Sequence, residues 1–530
     1  MTSGYFSDSI DDTFAYTSWA WQFIEALKEG IIYPRWTPLS FLGFGSPTFI
    51  LYSPFAFYLV AFLNTCTDSL IVAMNIAKFI SFFISALGLF FFVKEFYSVK
   101  VALLTASFYL ILPFHIFGVY KSGAFISTVS LVWFSPILLF VHRFIDRKEY
   151  KYIIYAGICY GFLILTHLVN TYMFTFVLIA FVIYLSMVKR APKNIIIIPL
   201  IITIGIFISA AYIFPLVSEK QFINFRAFIG ESGSFHYANY FILPNLTDKL
   251  PSYLFWPVYY NTFVSYVLFF SFFLLFILFQ ILKMNKLEEM ENANRINKFF
   301  FGTALFSLFL LFGISSFIWD NIPYLKYMQF PVRWLNITAF CAVFLSATIF
   351  FLINPFHKEK KRYNFLIYIL FFICILLDYQ IISSAHIFKE KDILPVKTVN
   401  WTMEHLPVNV NVENIVKNAD YKVKIVDSEG EGDFKIRAWK SAERIIESRA
   451  NQTLTLRIRT FNFPGWTAYI DNMQTEIRTK KDIGDMLIDI PSGEHILRLR
   501  FVDTPIRYYS KLISLFSFFL MAFLVMTKKK

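Results

Sequence analysis

Charge is what this sequence has least of. Only 16% of its 530 residues are Asp, Glu, Lys or Arg, against 57% hydrophobic and 20% aromatic, with 67 phenylalanines. Soluble domains carry about a quarter charged residues, so the shortfall excludes a chain of several soluble domains. The bulk of the chain is integral to a membrane. Cysteine is sparse too. Cys66, Cys159, Cys341 and Cys374 lie in or beside apolar runs without CxxC spacing. That excludes a disulfide framework or a thiolate metal site and leaves small core residues. The opening residues are acidic and polar, unlike the basic and then apolar pattern of a cleavable signal peptide. The net charge of +13 does not point to nucleic acid, because Lys and Arg cluster between apolar runs rather than along one face.

What the chain does have is long apolar runs. A span takes about 20 residues, and eleven runs qualify: 70–93, 100–118, 123–143, 151–167, 170–187, 194–217, 262–283, 298–318, 332–354, 364–384 and 509–527. The connections HRFIDRKEYK (142–151), KRAPKN (189–194), NPFHKEKKRYN (354–364) and the final three lysines are basic. The positive-inside rule makes that side cytoplasmic. The segments 218–261, 319–331 and 385–508 then fall outside. The run 47–64 is apolar but interrupted by Pro47 and Pro54, so it reads as a re-entrant or interfacial element. Residues 1–46 are thereby placed outside. The expected organisation is an extracytoplasmic first loop (1–66), a transmembrane helical domain (67–384), an extracytoplasmic β-sandwich (385–508), and a last spanning helix with a basic cytoplasmic tail (509–530).

Within the first loop, Tyr16, Ala20, Phe23, Ile24 and Leu27 recur at helical spacing opposite Ser18, Gln22, Glu25 and Glu29. This predicts an amphipathic helix along the membrane surface, stopped at Gly30 and capped by Asp11 or Asp12. Beyond Ala385, QTLTLRIRTF (452–461), MLIDI (486–490) and HILRLRF (495–501) alternate polar and apolar residues between NFPGW and PSGEH turns. That pattern predicts short antiparallel strands. The block shows no catalytic cluster, and its expected role is binding, shielding or structural.

The acidic opening, the helix after it and GIIYPRWTPLSFLGFGSPTFILYSPFAFYL resemble the multi-spanning GT-C glycosyltransferases. More closely, they are similar to the membrane proteins labelled 6-pyruvoyl-tetrahydropterin synthase-related and the neighbouring YfhO-like group, a label that implies no pterin chemistry. LTHLVNTYM (165–173), YMQFPVRWLN (327–336) and the FNFPGWTAYID…IDIPSGEHILRLRFVDTPIR stretch extend the resemblance over most of the chain. Members usually carry a spanning helix ahead of the acidic loop; this sequence opens on the loop itself. The resemblance implies transfer of a sugar from a polyprenyl-phosphate carrier to a glycan or lipid acceptor outside the cytoplasm. It makes an acid of the first loop the base, by position Asp11 with Asp12 beside it. The chemistry is sound on its own terms. An acceptor hydroxyl loses a proton to a carboxylate as it attacks, and an anionic leaving phosphate needs Arg or Lys. Tyr33, Arg35 and Trp36 of YPRW, Gln329 and Arg333 of YMQFPVRWLN, Lys121 and His167 are the candidate substrate or phosphate contacts. For Arg35 and Arg333, flanked by Trp36 and Trp334, interfacial anchoring or pairing with an acid is the competing reading.

In VYKSGAFIS the family pattern places an Arg before the Gly and a Glu four residues after it, where this chain has Ser122 and Ser127. Glu219, Glu231 and His236 sit in an outer loop that could cover the site, and His115 reads as structural. No metal motif is visible. A divalent cation (Mg or Mn) is the one cofactor the acidic pair could help hold, and two adjacent acids are not a ligand set. Two alternatives stand beside the transferase: a flippase for a lipid-linked saccharide, and a non-catalytic scaffold of envelope assembly. The flippase predicts charged or polar residues at mid-depth in the spans and internal repeats, and the sequence shows neither clearly.

Overall fold

The structure, a computed structural model, describes residues 4–6, 10–224, 237–242, 257–284, 290–353, 361–389, 405–408, 410, 426–429, 431–481 and 483–527. Among these, seven helices are long and apolar enough to cross a membrane: Leu70–Val93, Val99–Tyr120, Phe125–Arg147, Leu168–Val188, Thr262–Leu282, Pro331–Ile353 and Pro505–Thr527. At 1.5 Å per residue each reaches about 30 Å or more, the thickness of a bilayer's hydrocarbon core. Two further expected spans are bent pairs: Pro192–Ile208 with Ala210–Phe222 at 85°, and Glu291–Phe309 with Gly313–Asn321 at 101°. The first bend falls at Ser209, whose hydroxyl donates back to the Gly205 carbonyl at 2.8 Å. Pro215 follows within the second arm, and both features bend helices. The expected span 151–167 is the shorter apolar helix Lys151–Thr166, and 364–384 matches the 23-residue helix Lys361–Ser383. Among the described residues, seven helices, or nine with each bent pair taken as one span, have the length and apolar composition of a crossing.

Phenylalanine fills the bundle. Phe300 meets Phe344 tilted at 4.2 Å and Phe134 stacks on Phe174 at 4.4 Å, ring contacts that add to the area buried. Apolar residues such as Phe272, Phe279 and Phe516 remain exposed on outward faces, as a lipid-facing surface requires.

The N-terminal helix, Ile10–Lys28, differs from expectation. Its apolar stripe is buried, but so are Ser18 and Gln22 on the face expected to be polar. Gln22 donates to the Ser18 hydroxyl at 3.1 Å and accepts from the Leu39 amide at 2.8 Å. The helix is enclosed by the short helix Phe55–Thr67, the start of Leu70–Val93 and the segment around Phe49. Because it begins at Ile10, Asp11 and Asp12 lie inside its first turn rather than at the cap. There the helix dipole still favours negative charge. Phe55–Thr67 has 13 residues, about 20 Å, too short to cross alone.

The C-terminal domain consists of two antiparallel sheets. Strands β3 (Val426–Glu429), β6 (Leu454–Phe461), β9 (Arg478–Thr479) and β10 (Asp485–Ile490) form one in the order β3-β6-β10-β9. Strands β4 (Gly432–Trp439), β5 (Glu443–Ala450), β7 (Trp466–Ile470), β8 (Met473–Thr475) and β11 (Gly493–Phe501) form the other in the order β4-β5-β11-β7-β8. The three predicted strands lie within β6, β10 and β11. Leu454, Leu456 and Ile458 alternate inward on β6, opposite Ile446, Leu497 and Leu499 of the second sheet. The NFPGW turn uses Gly465 at φ +110, a conformation that favours glycine.

The first loop and this domain are not independent. Trp36, Phe41, Phe44 and Ile50 belong to the same hydrophobic core as the strands. The Phe461 amide donates to the Phe44 carbonyl at 2.9 Å, and the Ser441 amide to Glu29 Oε2 at 2.8 Å. Near the chain's start, β1 (Gly4–Phe6) pairs antiparallel with β2 (Ile387–Lys389), register Tyr5 to Phe388. Residues before the first span and after Lys361–Ser383 thus share one side of the bundle.

Candidate functional site

The first turns of the N-terminal helix face a point where two spans begin. Tyr52, in the break before Phe55–Thr67, brings its hydroxyl within 3.0 Å of the Tyr16 hydroxyl. Trp19, one turn along, stacks tilted on Tyr52 at 4.8 Å. Burial pushes the Tyr16 phenol well above its ordinary value, with Tyr52 and Asp12 adding to the rise and Arg333 opposing it. The carboxylate of Asp12 and the guanidinium of Arg333 therefore both act on Tyr16. Asp12 is exposed, so a substrate can reach it. The Asp11 side chain lies outside the described residues.

His167 caps the Leu168–Val188 helix, its Nδ1 accepting from the Asn170 amide at 3.1 Å. Accepting there requires Nδ1 to be unprotonated. Burial first, and then the charge of Arg333, hold this imidazole down to about 3. Arg333 lies in the first turn of Pro331–Ile353. It donates from Nη1 to the Met328 carbonyl at 2.8 Å and from Nη2 to Gln329 Oε1 at 3.3 Å, with Phe330 beneath it at 5.0 Å. Gln329 sits at φ +65, so the backbone turns sharply to present this pair. Two helix N-termini, a guanidinium and an exposed carboxylate converge, an arrangement suited to holding an anion beside a base.

Beneath the site, Asn170 is fully buried and donates from Nδ2 to the Ser127 hydroxyl at 3.0 Å and the Ser130 hydroxyl at 2.6 Å. Asn336 also donates to the Ser127 hydroxyl, at 3.4 Å. The position where the family pattern has a glutamate thus holds a hydroxyl between two amides. Ser122 turns back onto its own helix, donating to the Gly118 carbonyl at 3.0 Å.

Other predicted residues lie elsewhere. Arg35 is 3% exposed, donates from Nη2 to the Ala211 carbonyl at 3.0 Å, stands 3.7 Å from Asp503 and lies 3.9 Å over the Tyr33 ring. It is the acid-paired structural arginine of the competing reading, enclosed where no phosphate reaches it without rearrangement. Trp36 is not an interfacial anchor; it packs between Trp466 (5.6 Å) and Phe501 (5.2 Å) in the β-domain core. Lys121 is half-buried at the end of Pro113–Tyr120. Glu219 covers nothing: it is buried against Arg507. Glu231 and His236 lie outside the described residues. His115 is buried with Nδ1 3.1 Å from the Tyr109 carbonyl, a structural place. Among the described residues no three His, Cys, Asp or Glu side chains gather to hold a metal.

Three features were missed. Tyr52 and His405 carry no local motif, since each joins the site only through folding. Lys78 lies within the Leu70–Val93 span, 5% exposed, donating to the Val119 carbonyl at 3.3 Å. It corrects the expectation that the spans hold no clear charge, and an intramembrane ionisable residue is itself a functional signal.

A family model described as 6-pyruvoyl-tetrahydropterin synthase related domain, membrane protein, matches residues 49–385. No curated protein matches the chain significantly. Among solved structures, the Archaeoglobus fulgidus oligosaccharyltransferase, crystallised with zinc and sulfate, is similar at 17% identity and a TM-score of 0.37. The match covers 70% of this chain and 48% of that one, so this chain spans about half that enzyme's length.

Proposed function

The chain belongs to the 6-pyruvoyl-tetrahydropterin synthase-related membrane proteins, and from that premise we propose that it is a membrane glycosyltransferase. In this reading it moves a sugar from a polyprenyl-phosphate-linked donor to a glycan or lipid acceptor, on the extracytoplasmic side that carries the first loop and the β-domain. One observation carries the proposal: the exposed carboxylate of Asp12 and the guanidinium of Arg333 both act on the Tyr16 hydroxyl, and Arg333 acts on His167 at the start of a neighbouring helix as well. Asp12, or Asp11 beside it, takes the proton of the acceptor hydroxyl as that oxygen attacks the anomeric carbon. The bond to the carrier phosphate breaks on the opposite face. Arg333, held by the Met328 carbonyl and Gln329, receives the developing negative charge, with the two helix N-termini adding their dipoles. His167, uncharged, fixes the helix start next to Arg333 without repelling it.

The test is transfer of tritium-labelled glucose or mannose from undecaprenyl phosphate, by purified protein in nanodiscs, into a chloroform-insoluble envelope extract. Wild type is expected to transfer label, and either Asp12→Asn or Asp11→Asn to lose at least about 100-fold, the lower range of general-base contributions. A double Asn variant with wild-type transfer would sink the assignment of the base. Carrier-linked saccharide that crosses the bilayer without sugar transfer would favour the flippase.

A further inference from the structure

The β-domain was expected to show no catalytic cluster and to bind, shield or serve structurally, and the segment leading into it reaches the site. Residues 405–408 run against the outer loop: the Asn224 amide donates to the Leu406 carbonyl at 2.8 Å and the Val408 amide to the Phe222 carbonyl at 3.1 Å. Ile223 and Pro407 form an antiparallel bridge. Anchored there, His405 enters the aromatic box around the N-terminal helix. Its ring stacks on Trp19 at 5.4 Å and 28°, and meets Tyr52 edge-on at 6.1 Å. Tyr52 is the residue whose hydroxyl touches that of Tyr16, beside Asp12. His405 is 3% exposed and Trp19 1%.

Packing alone does not call for histidine here. Phenylalanine would fill the same flat space between two rings. We infer that His405 is a positioning residue of the candidate site: its imidazole, brought in by the segment that precedes the β-sheets, holds Trp19 and Tyr52 so that the Tyr52–Tyr16 hydroxyl pair is fixed beside Asp12. Burial keeps the ring uncharged at neutral pH, so it carries one donor and one acceptor nitrogen, which phenylalanine lacks. The β-domain thereby contributes to the site through its leading segment rather than through its sheets. This inference rests on the transferase reading.

The experiment compares His405→Phe, His405→Asn and wild type in the nanodisc transfer assay, with melting temperature and the pH profile of kcat measured together. His405→Phe keeps the stack and is expected to melt near wild type while losing at least 10-fold in kcat with KM within twofold. His405→Asn, which restores a donor and an acceptor, is expected to recover part of that loss and to shift the acid limb of the profile. If His405→Phe does not fold, His405→Asn decides alone: wild-type kcat and an unmoved pH profile overturn the inference. A folded His405→Phe with kcat within twofold of wild type overturns it equally. Wild-type protein that transfers neither sugar sinks the transferase reading, and the inference with it. Loss on Asp12→Asn without loss on His405→Phe removes the inference alone.

Discussion

Arg507 lies fully buried against Glu219: Nη2 donates to Oε2 at 2.8 Å and Nε to Oε1 at 2.9 Å. Nη2 also donates to the Pro464 carbonyl at 2.7 Å, and Glu219 accepts from the Thr504 hydroxyl at 2.8 Å. One ion pair thus ties the bent helix pair, the NFPGW turn of the β-domain and the start of the last span together. Arg35 and Asp503 stand next to it, with Lys511 paired to Asp503. Every charge in this cluster has an opposite neighbour, which a junction between helices and sheets requires.

Breaking that pair is expected to be expensive. Glu219→Gln or Arg507→Leu leaves an uncompensated buried charge or a donor fork without its acceptor, a loss of about 3–5 kcal/mol. Both variants should melt well below wild type, and Glu219→Leu with Arg507→Leu should regain much of the difference. A double variant as unstable as the singles would show that the arginine matters through its carbonyl contacts instead.

Arg333 offers a planar fork held from both ends, which an ammonium cannot reproduce. Arg333→Gln is expected to lower kcat/KM about 10- to 100-fold, the worth of charged hydrogen bonds, and Arg333→Lys to recover only part. Full recovery by lysine would mean that charge alone counts at this position.

Gly45 adopts φ +80, and a Cβ there would stand 2.4 Å from Trp36 Nε1. Gly45→Ala should therefore cost about 2–4 kcal/mol, strain and clash together. It should also speed proteolysis of the β-domain. Gly302→Ala, which meets nothing within 4 Å, serves as the unaffected control. Equal melting of the two variants would contradict the packing of Trp36 against the loop.

His167 and His405 are both held by burial at about 3, far below the ordinary histidine value near 6.5. The unfolded chain takes up these protons first, so stability is full above about pH 6.5 and is lost as pH falls toward 3. Each unit of pH below 6.5 is expected to remove about 1.4 kcal/mol per histidine. Melting temperature should drop between pH 7 and pH 5, less steeply in His405→Phe. An identical slope in that variant would place the acid sensitivity elsewhere.

Ile32 and Met473 are strongly exposed on the loop and domain that share a core. In a Cys66→Ser background, Ile32→Cys and Met473→Cys should both react with an impermeant maleimide on intact cells. Labelling of both only after lysis would turn the whole assignment of sides around.

Much of the architecture is legible in the residues because bilayer and sheet impose simple rules. Runs of about 20 apolar residues mark spans, and alternation with period two marks β6, β10 and β11. Two kinds of error have physical causes. Hydropathy counts apolar residues without regard to direction, so it could not register that the chain turns by 85° at Ser209 and by 101° near Gly313. Helical periodicity reads one face as wet by default. Ser18 and Gln22 are buried all the same, because Gln22 finds partners in Ser18 and the Leu39 amide, and satisfied polar groups tolerate burial.

The sequence by itself determined the material: membrane spans, a β-domain before the last of them, and an acidic start to the first helix. Those properties follow from composition and period, which are local. Only the tertiary structure decided which arginine acts on Tyr16 and His167 and which is locked in a joint. Arg35 and Arg333 carry similar neighbours in sequence, yet one lies against Asp503 and Ala211 and the other beside Tyr16 and His167. Tyr52 and His405 likewise reach Tyr16 and Trp19 across hundreds of residues or through a break between helices. A site assembled from such distant segments exists only once packing has chosen their partners.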